Sequence, residues 1–174
     1  MRRSKIGMLV IAMAAAGLTA ACGRPFDVKT AQGFVELENQ ETYAYRATSP
    51  EGVVTAVRVV DDEKRGDLAF WTHAITLQLR DGQGYALEGT SDVTSNDGTK
   101  GKLLRFGRDQ DGKPFAYWVA LYAAQDRLFL VEAGGAKEPF DRAKRDVEAS
   151  MASVKVRCDS ALAPVLASRT CNRW

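Results

Sequence analysis

Hydrophobic and polar positions change rhythm several times along this chain. Ile6 to Ala16 carry no charge and follow the basic residues Arg2, Arg3 and Lys5. About 16 uncharged residues separate Lys5 from Cys22, fewer than the roughly 20 that a membrane-spanning helix needs. Residues 1–21 therefore read as a secretory leader, outside the folded domain. Residues 22–32 hold Pro25 and a polar mix and read as a tether.

From Gly33 the pattern alternates. Phe34–Leu37 and Tyr43–Thr48 read as strands, and Ser49-Pro50-Glu51-Gly52 as a turn. The β-branched run Val53–Val60 predicts a further strand, followed by a polar loop over Asp61–Gly66. The period then becomes helical. Leu68, Trp71, Ile75 and Leu79 share one face of a helix that Asp67 caps and that runs to about Arg80. Asp81-Gly82-Gln83-Gly84 ends it, with two glycines available for positive φ.

Strands return at Tyr85–Gly89, then a polar connection over Ser91–Gly101, then Leu103–Gly107. Asp109-Gln110-Asp111-Gly112 reads as a hairpin turn. Phe115–Tyr122 is apolar on both sides, which predicts a strand covered above and below. Arg127–Ala133 completes an antiparallel meander, closed by Gly134-Gly135. A second helix spans Pro139 to about Val154, with Phe140, Ala143, Val147, Met151 and Val154 on one face. Residues 33–155 form the domain, and residues 156–174 a folded-back tail.

The small residues before Cys22, in Leu18-Thr19-Ala20-Ala21-Cys22, resemble the bacterial lipobox. That resemblance implies a diacylglycerol on the Cys22 sulfur and a mature chain that begins there. Gly23 in place of Asp, by similarity to Gram-negative sorting, favours the inner leaflet of the outer membrane, with the domain in the periplasm. The alternative is plain secretion, cut after Ala16 or Ala21, with Cys22 a free thiol. Buried acyl carbons contribute about 0.8 kcal/mol each, so two or three chains hold a protein almost permanently.

Order and pattern over residues 43–154 resemble the PsbP/Mog1-like family. The residues that carry the likeness are the apolar helix 67–80, the turn 109–112 before the aromatic strand 115–122, the strand 128–133 and the helix from Pro139. The resemblance implies an α+β fold, an α/β/α sandwich around a central antiparallel sheet, and a non-catalytic binding module. A β-barrel of lipocalin size is the alternative, and the two amphipathic helices count against it.

Composition narrows the classes. The formal charge of +2 lies in the leader, whose three basic residues account for it; the rest has 21 Lys and Arg against 22 Asp and Glu. That near balance gives no nucleic-acid footprint. The 153 residues after the leader suffice for one domain with a core. Cys158 and Cys171 form an even pair in an exported chain, where disulfides persist. Their bond would contribute about 3 kcal/mol in the chain-entropy model.

Candidate chemistry is sparse. His73, the only histidine, lies near the edge of the helix face. Thr90, Ser91 or Ser95 with Asp97 would complete a triad, but no G-x-S-x-G elbow supports one. Asp109, Asp111 and Gly112 share part of a calcium-loop spacing without its closing Glu. Gly98-Thr99-Lys100-Gly101 is too short for a phosphate loop. Asp61-Asp62-Glu63 reads as a solvated loop. Glu132, in an otherwise apolar strand, pairs with a base such as Arg105 or lies at the sheet rim. Trp71, Tyr117, Trp118 and Tyr122 read as core, with a groove between sheet and helix as the alternative for one of them. No metal or cofactor is expected. The leading function is a lipid-anchored envelope protein that docks onto a protein partner. The alternative is a periplasmic carrier of a small apolar ligand or lipid.

Overall fold

The β-branched run after Gly52 becomes β4 (Val54–Asp61), and five further strands assemble around it and its neighbour β8 (Arg127–Ala136) into one sheet. The computed structural model describes residues 24–38, 42–63, 65–124 and 126–156. Cys22, Cys158 and Cys171 lie outside the described residues, as do the leader and most of the expected tail. The other strands are β1 (Phe26–Asp27), β2 (Val35–Glu36), β3 (Tyr45–Thr48), β5 (Ala86–Thr94), β6 (Lys100–Gln110), β7 (Lys113–Ala124) and β9 (Lys155–Val156). The helices are α1 (Leu68–Gln83) and α2 (Lys137–Ala152). The main sheet has the order β2-β3-β4-β8-β7-β6-β5, with antiparallel neighbours throughout. It is open, not a barrel.

Alternation along β7 shows the two layers. Trp118, Ala120 and Tyr122 pack with Phe140, Val147 and Met151 of α2. Val119, Leu121 and Ala123 pack with Ile75 and Leu79 of α1. A strand buried on both faces thus reads as a continuous apolar run. The fold is an α+β sandwich with a helix on each face of an antiparallel sheet.

Local signals place the elements. Asp67 Oδ1 accepts from the Phe70 amide at 2.6 Å, capping α1. Gly84 takes φ 70° and returns its amide to Arg80 O at 3.1 Å, so α1 extends to Gln83 and Gly82 stays helical. Asp111 and Gly112 both have positive φ (54° and 75°), the geometry of a two-residue hairpin loop. The polar connection is shorter than expected. Ser91–Thr94 and Lys100–Lys102 are strand, and only residues 95–99 form the loop. There Asp97 accepts from the Ser95 hydroxyl and, at 3.0 Å, from the Val156 amide, and Asn96 N donates to Ala152 O.

The described part of the expected tether, residues 24–32, belongs to the domain instead. Phe26 is 1 % exposed and meets Phe129 edge-to-face at 6.3 Å. It pairs with Val156 in β1–β9, a second small sheet. Lys29 N donates to Ser153 Oγ at 2.8 Å, and Ser150 Oγ donates to Lys29 O at 2.7 Å. The segment fills the space between α2 and β3, where the Tyr45 hydroxyl donates to Thr30 Oγ1. Val156, assigned from sequence to the tail, is buried with it.

Replacing Phe26 by Ala should therefore cost about 3–5 kcal/mol, the range for a fully buried Phe. Urea unfolding of the two proteins measures it. An unchanged midpoint would restore the tether.

Candidate ligand groove

Helix α1 packs on β5, β6 and β7 and leaves the same face of β3 and β4 open. Its first turn is fixed by Asp62, which is buried rather than solvated. The Trp71 indole donates to Asp62 Oδ2 and the Gly66 amide to Oδ1, each at 3.1 Å. Asp61 and Glu63 on either side are exposed. The cap and this carboxylate hold Trp71 over the sheet.

Between α1 and the uncovered strands runs a groove of about 440 Å3. Trp71, Ile75 and Leu79 form its helical wall, with Val60, Leu128 and Leu130 on its floor. The other end is polar, with Arg58, Glu132, Tyr43, Tyr117 and Gln78. An adjoining cavity of about 310 Å3 shares Tyr43, Tyr85, Tyr117 and Glu132 and adds Arg46.

The polar end is built on one ion pair. Ala56 is opposite Glu132 and Arg58 opposite Leu130, so Arg58 and Glu132 are diagonal neighbours on the α1 face. Arg58 Nε donates to Glu132 Oε1 at 2.9 Å, and Nη2 donates to the same oxygen. The Tyr117 hydroxyl adds a third bond to that carboxylate. The Glu132 side chain is 5 % exposed and that of Arg58 37 %, so the carboxylate lies beneath the guanidinium. Burial pushes the Glu132 carboxyl above its ordinary value, and Arg58 and Tyr117 partly oppose it. Burial and the Glu132 charge push the Tyr117 phenol well up, so it stays a donor at any physiological pH.

Aromatic faces hold the surrounding cations. The Arg46 and Arg58 guanidinium carbons lie 5.6 and 5.8 Å from the centre of the Tyr43 ring. Arg108 stands 5.6 Å over Tyr85, whose ring lies 5.3 Å from that of Tyr117.

Sequence-derived candidates divide accordingly. Trp71 and Tyr117 line the groove. Trp118 is core on the opposite face, between Phe140 at 5.0 Å, Arg105 and Lys144. Tyr122 is core too, its phenol pushed up to about 12 by burial and then by the Asp97 charge. Arg105 is opposite Trp118 and donates to Ser91 Oγ at 3.0 Å, so the sheet separates it from Glu132. Glu132 is no rim residue either. The expected Arg105 pairing is replaced by Arg58, which a charge in the middle of an apolar strand already marked as unusual.

The triad does not assemble. His73 is exposed on α1, Ser91 serves Arg105, and Ser95 is bound to Asp97 in the hairpin loop. Among the described residues no three His, Cys, Asp or Glu side chains converge as a metal site.

The ion pair makes a pH-dependent prediction. A carboxyl raised on folding contributes stability that is present below about pH 4.5 and is lost as pH rises through its folded value. Glu132→Gln should flatten that decline. Arg58→Ala should cost about 2 kcal/mol at pH 7, below the about 3–5 kcal/mol of a fully buried pair because Arg58 is partly exposed. As pH falls through the raised folded value of Glu132 the carboxyl protonates, and the loss should shrink. Urea midpoints across pH measure both effects; a pH-independent loss in Arg58→Ala would contradict this account.

No protein-family model matches the chain, and no curated protein matches it by sequence. Solved structures do match. LpqN of Mycobacterium tuberculosis, described as involved in cell envelope biogenesis, aligns with a TM-score of 0.60 at 12% identity, over 76% of this chain and 83% of its own. The cyanobacterial PsbP, CyanoP, from Synechocystis sp. PCC 6803, aligns with a TM-score of 0.54 at 12% identity, over 76% of this chain and 86% of its own. At this identity the likeness concerns the fold: the chain has the architecture shared by the PsbP-like and LpqN-like proteins.

Proposed function

We propose that this protein is a non-catalytic binding module of the bacterial cell envelope, held by acyl chains on Cys22, and that its groove carries a small apolar or amphipathic ligand. The groove carries the reading. Its volume of about 440 Å3 lies in the range of about 300–1,000 Å3 usual for small-molecule sites. It is apolar at one end with a few convergent polar groups at the other. The envelope setting draws on the leader and on the LpqN likeness. Among the described residues no helix is long and apolar enough to cross a membrane. The lipobox-like run before Cys22 is the basis for assigning retention at a membrane to a lipid on that residue, in the outer membrane's inner leaflet where that membrane exists, with the domain in the periplasm. Cys158 and Cys171 close the chain end as a disulfide in that oxidising space.

Docking onto an envelope protein is the second reading. Phe70, 57 % exposed beside Trp71, and the exposed Val60 give it an apolar rim to work with.

The anchor is short. Arg24, two residues after Cys22, is already bound to Glu36 and stacked on Tyr45. Two residues reach at most about 7 Å, so the domain stands close to the lipid surface.

Intact-mass measurement of the membrane-bound protein should give a chain starting at Cys22 with a diacylglycerol. Cys22→Ser should move the protein to the soluble fraction. An unmodified first residue would remove the anchor. Native extraction followed by lipid mass spectrometry should find a bound amphiphile that Trp71→Arg, which puts a charge in the apolar wall, displaces. Co-purified proteins without lipid would favour docking.

A further inference from the structure

The polarity of the groove is graded along its length, and the gradient assigns the ligand a chemical class. Leu128, Leu130 and Glu132 succeed one another on one face of β8, as Val60 and Arg58 do on β4. The floor thus passes from apolar to charged over about 13 Å, four residues of strand. We propose that the groove takes a single-chain fatty acid, its chain against Trp71, Leu128 and Leu130 and its carboxylate on Arg58. This rests on the carrier reading above.

Three observations carry it. The first is accessibility. Glu132 lies beneath Arg58, so the reachable part of the ion pair is the guanidinium. A ligand entering the groove meets a cation. The second is charge. One carboxylate brings a single negative charge beside the buried Glu132, whereas a phosphate monoester would bring up to two. The third is geometry. The bonds to Glu132 use Nε and Nη2 of Arg58, and Nη1 takes no part in them. A guanidinium has five donors and binds planar carboxylates through paired N–H groups. The Tyr43 ring lies 5.8 and 5.6 Å from the guanidinium carbons of Arg58 and Arg46. The groove's modest volume suits one chain rather than two.

The test uses the full chain carrying Cys22→Ser, so that no detergent competes for the groove. Dibromostearic acid quenches a nearby indole, and Trp71 in the groove wall is the reporter; Trp71→Phe should abolish the signal. The acid should quench saturably, and its methyl ester should bind at least tenfold more weakly, with every groove residue in place. Arg58→Ala should weaken the acid at least tenfold and leave the ester unchanged. Equal binding of acid and ester would overturn the carboxylate assignment and leave the carrier reading standing. Tighter binding of a brominated lysophosphatidate of the same chain would replace the carboxylate by a phosphate. No saturable quenching by any of the three would overturn both readings.

Discussion

A seven-stranded sheet is wider than one helix can cover. With strands about 4.8 Å apart, the sheet spans roughly 29 Å, and a helix with its side chains is about 10 Å across. Each face carries one helix of 16 residues. Much of what distinguishes this molecule follows from how the two faces handle the uncovered width. On the α2 side the N-terminal segment fills it, with Phe26 and Tyr45 extending the core to β3. On the α1 side no such filler is seen among the described residues. The open strands β3 and β4 carry Arg46 and Arg58 there in place of aliphatic residues, Glu132 stands beside them on β8, and the gap is the groove.

The Arg58–Glu132 pair belongs to that solution. A carboxylate in the middle of the central strand would be costly if unpaired, and a guanidinium on the neighbouring strand compensates it. Three tyrosines surround the pair, offering flat faces to cations and a hydroxyl to the carboxylate. An arrangement that leaves Arg58 partly accessible while its partner stays covered favours recognition over stability. A pure core would be served better by apolar side chains of similar volume.

Much of the architecture was legible because it depends on near neighbours in the chain. The 3.6-residue period of Leu68, Trp71, Ile75 and Leu79, the cap at Asp67 and the turn at Asp111-Gly112 are local, and each appears where the pattern puts it. The site was legible only in part. Glu132 and Arg58 stand out as charges in apolar strands, but their meeting depends on β4 lying beside β8, and strand order is not written in either strand. Arg105 fails as the partner for one reason, that alternation sends it to the other face. Phe26 escaped because a two-residue strand after a proline looks like a linker, and what buries it lies some 130 residues on. Asp62 escaped similarly: one buried carboxylate between two exposed ones has no local signature.

The zipper between the two ends of the domain also sets an order of events in time. Lys29 is bonded to Ser150 and Ser153, 121 and 124 positions away, and Phe26 leans on Val156. Chains are synthesised from the N-terminus, so the first piece of the domain to appear is among the last to find its place. Closing so long a loop delays these contacts relative to the meander hairpins. Until residue 156 emerges, Phe26 has Phe129 but not its β9 partner, and the α2 face is unfinished, so the burial of the domain's first strand waits for its last.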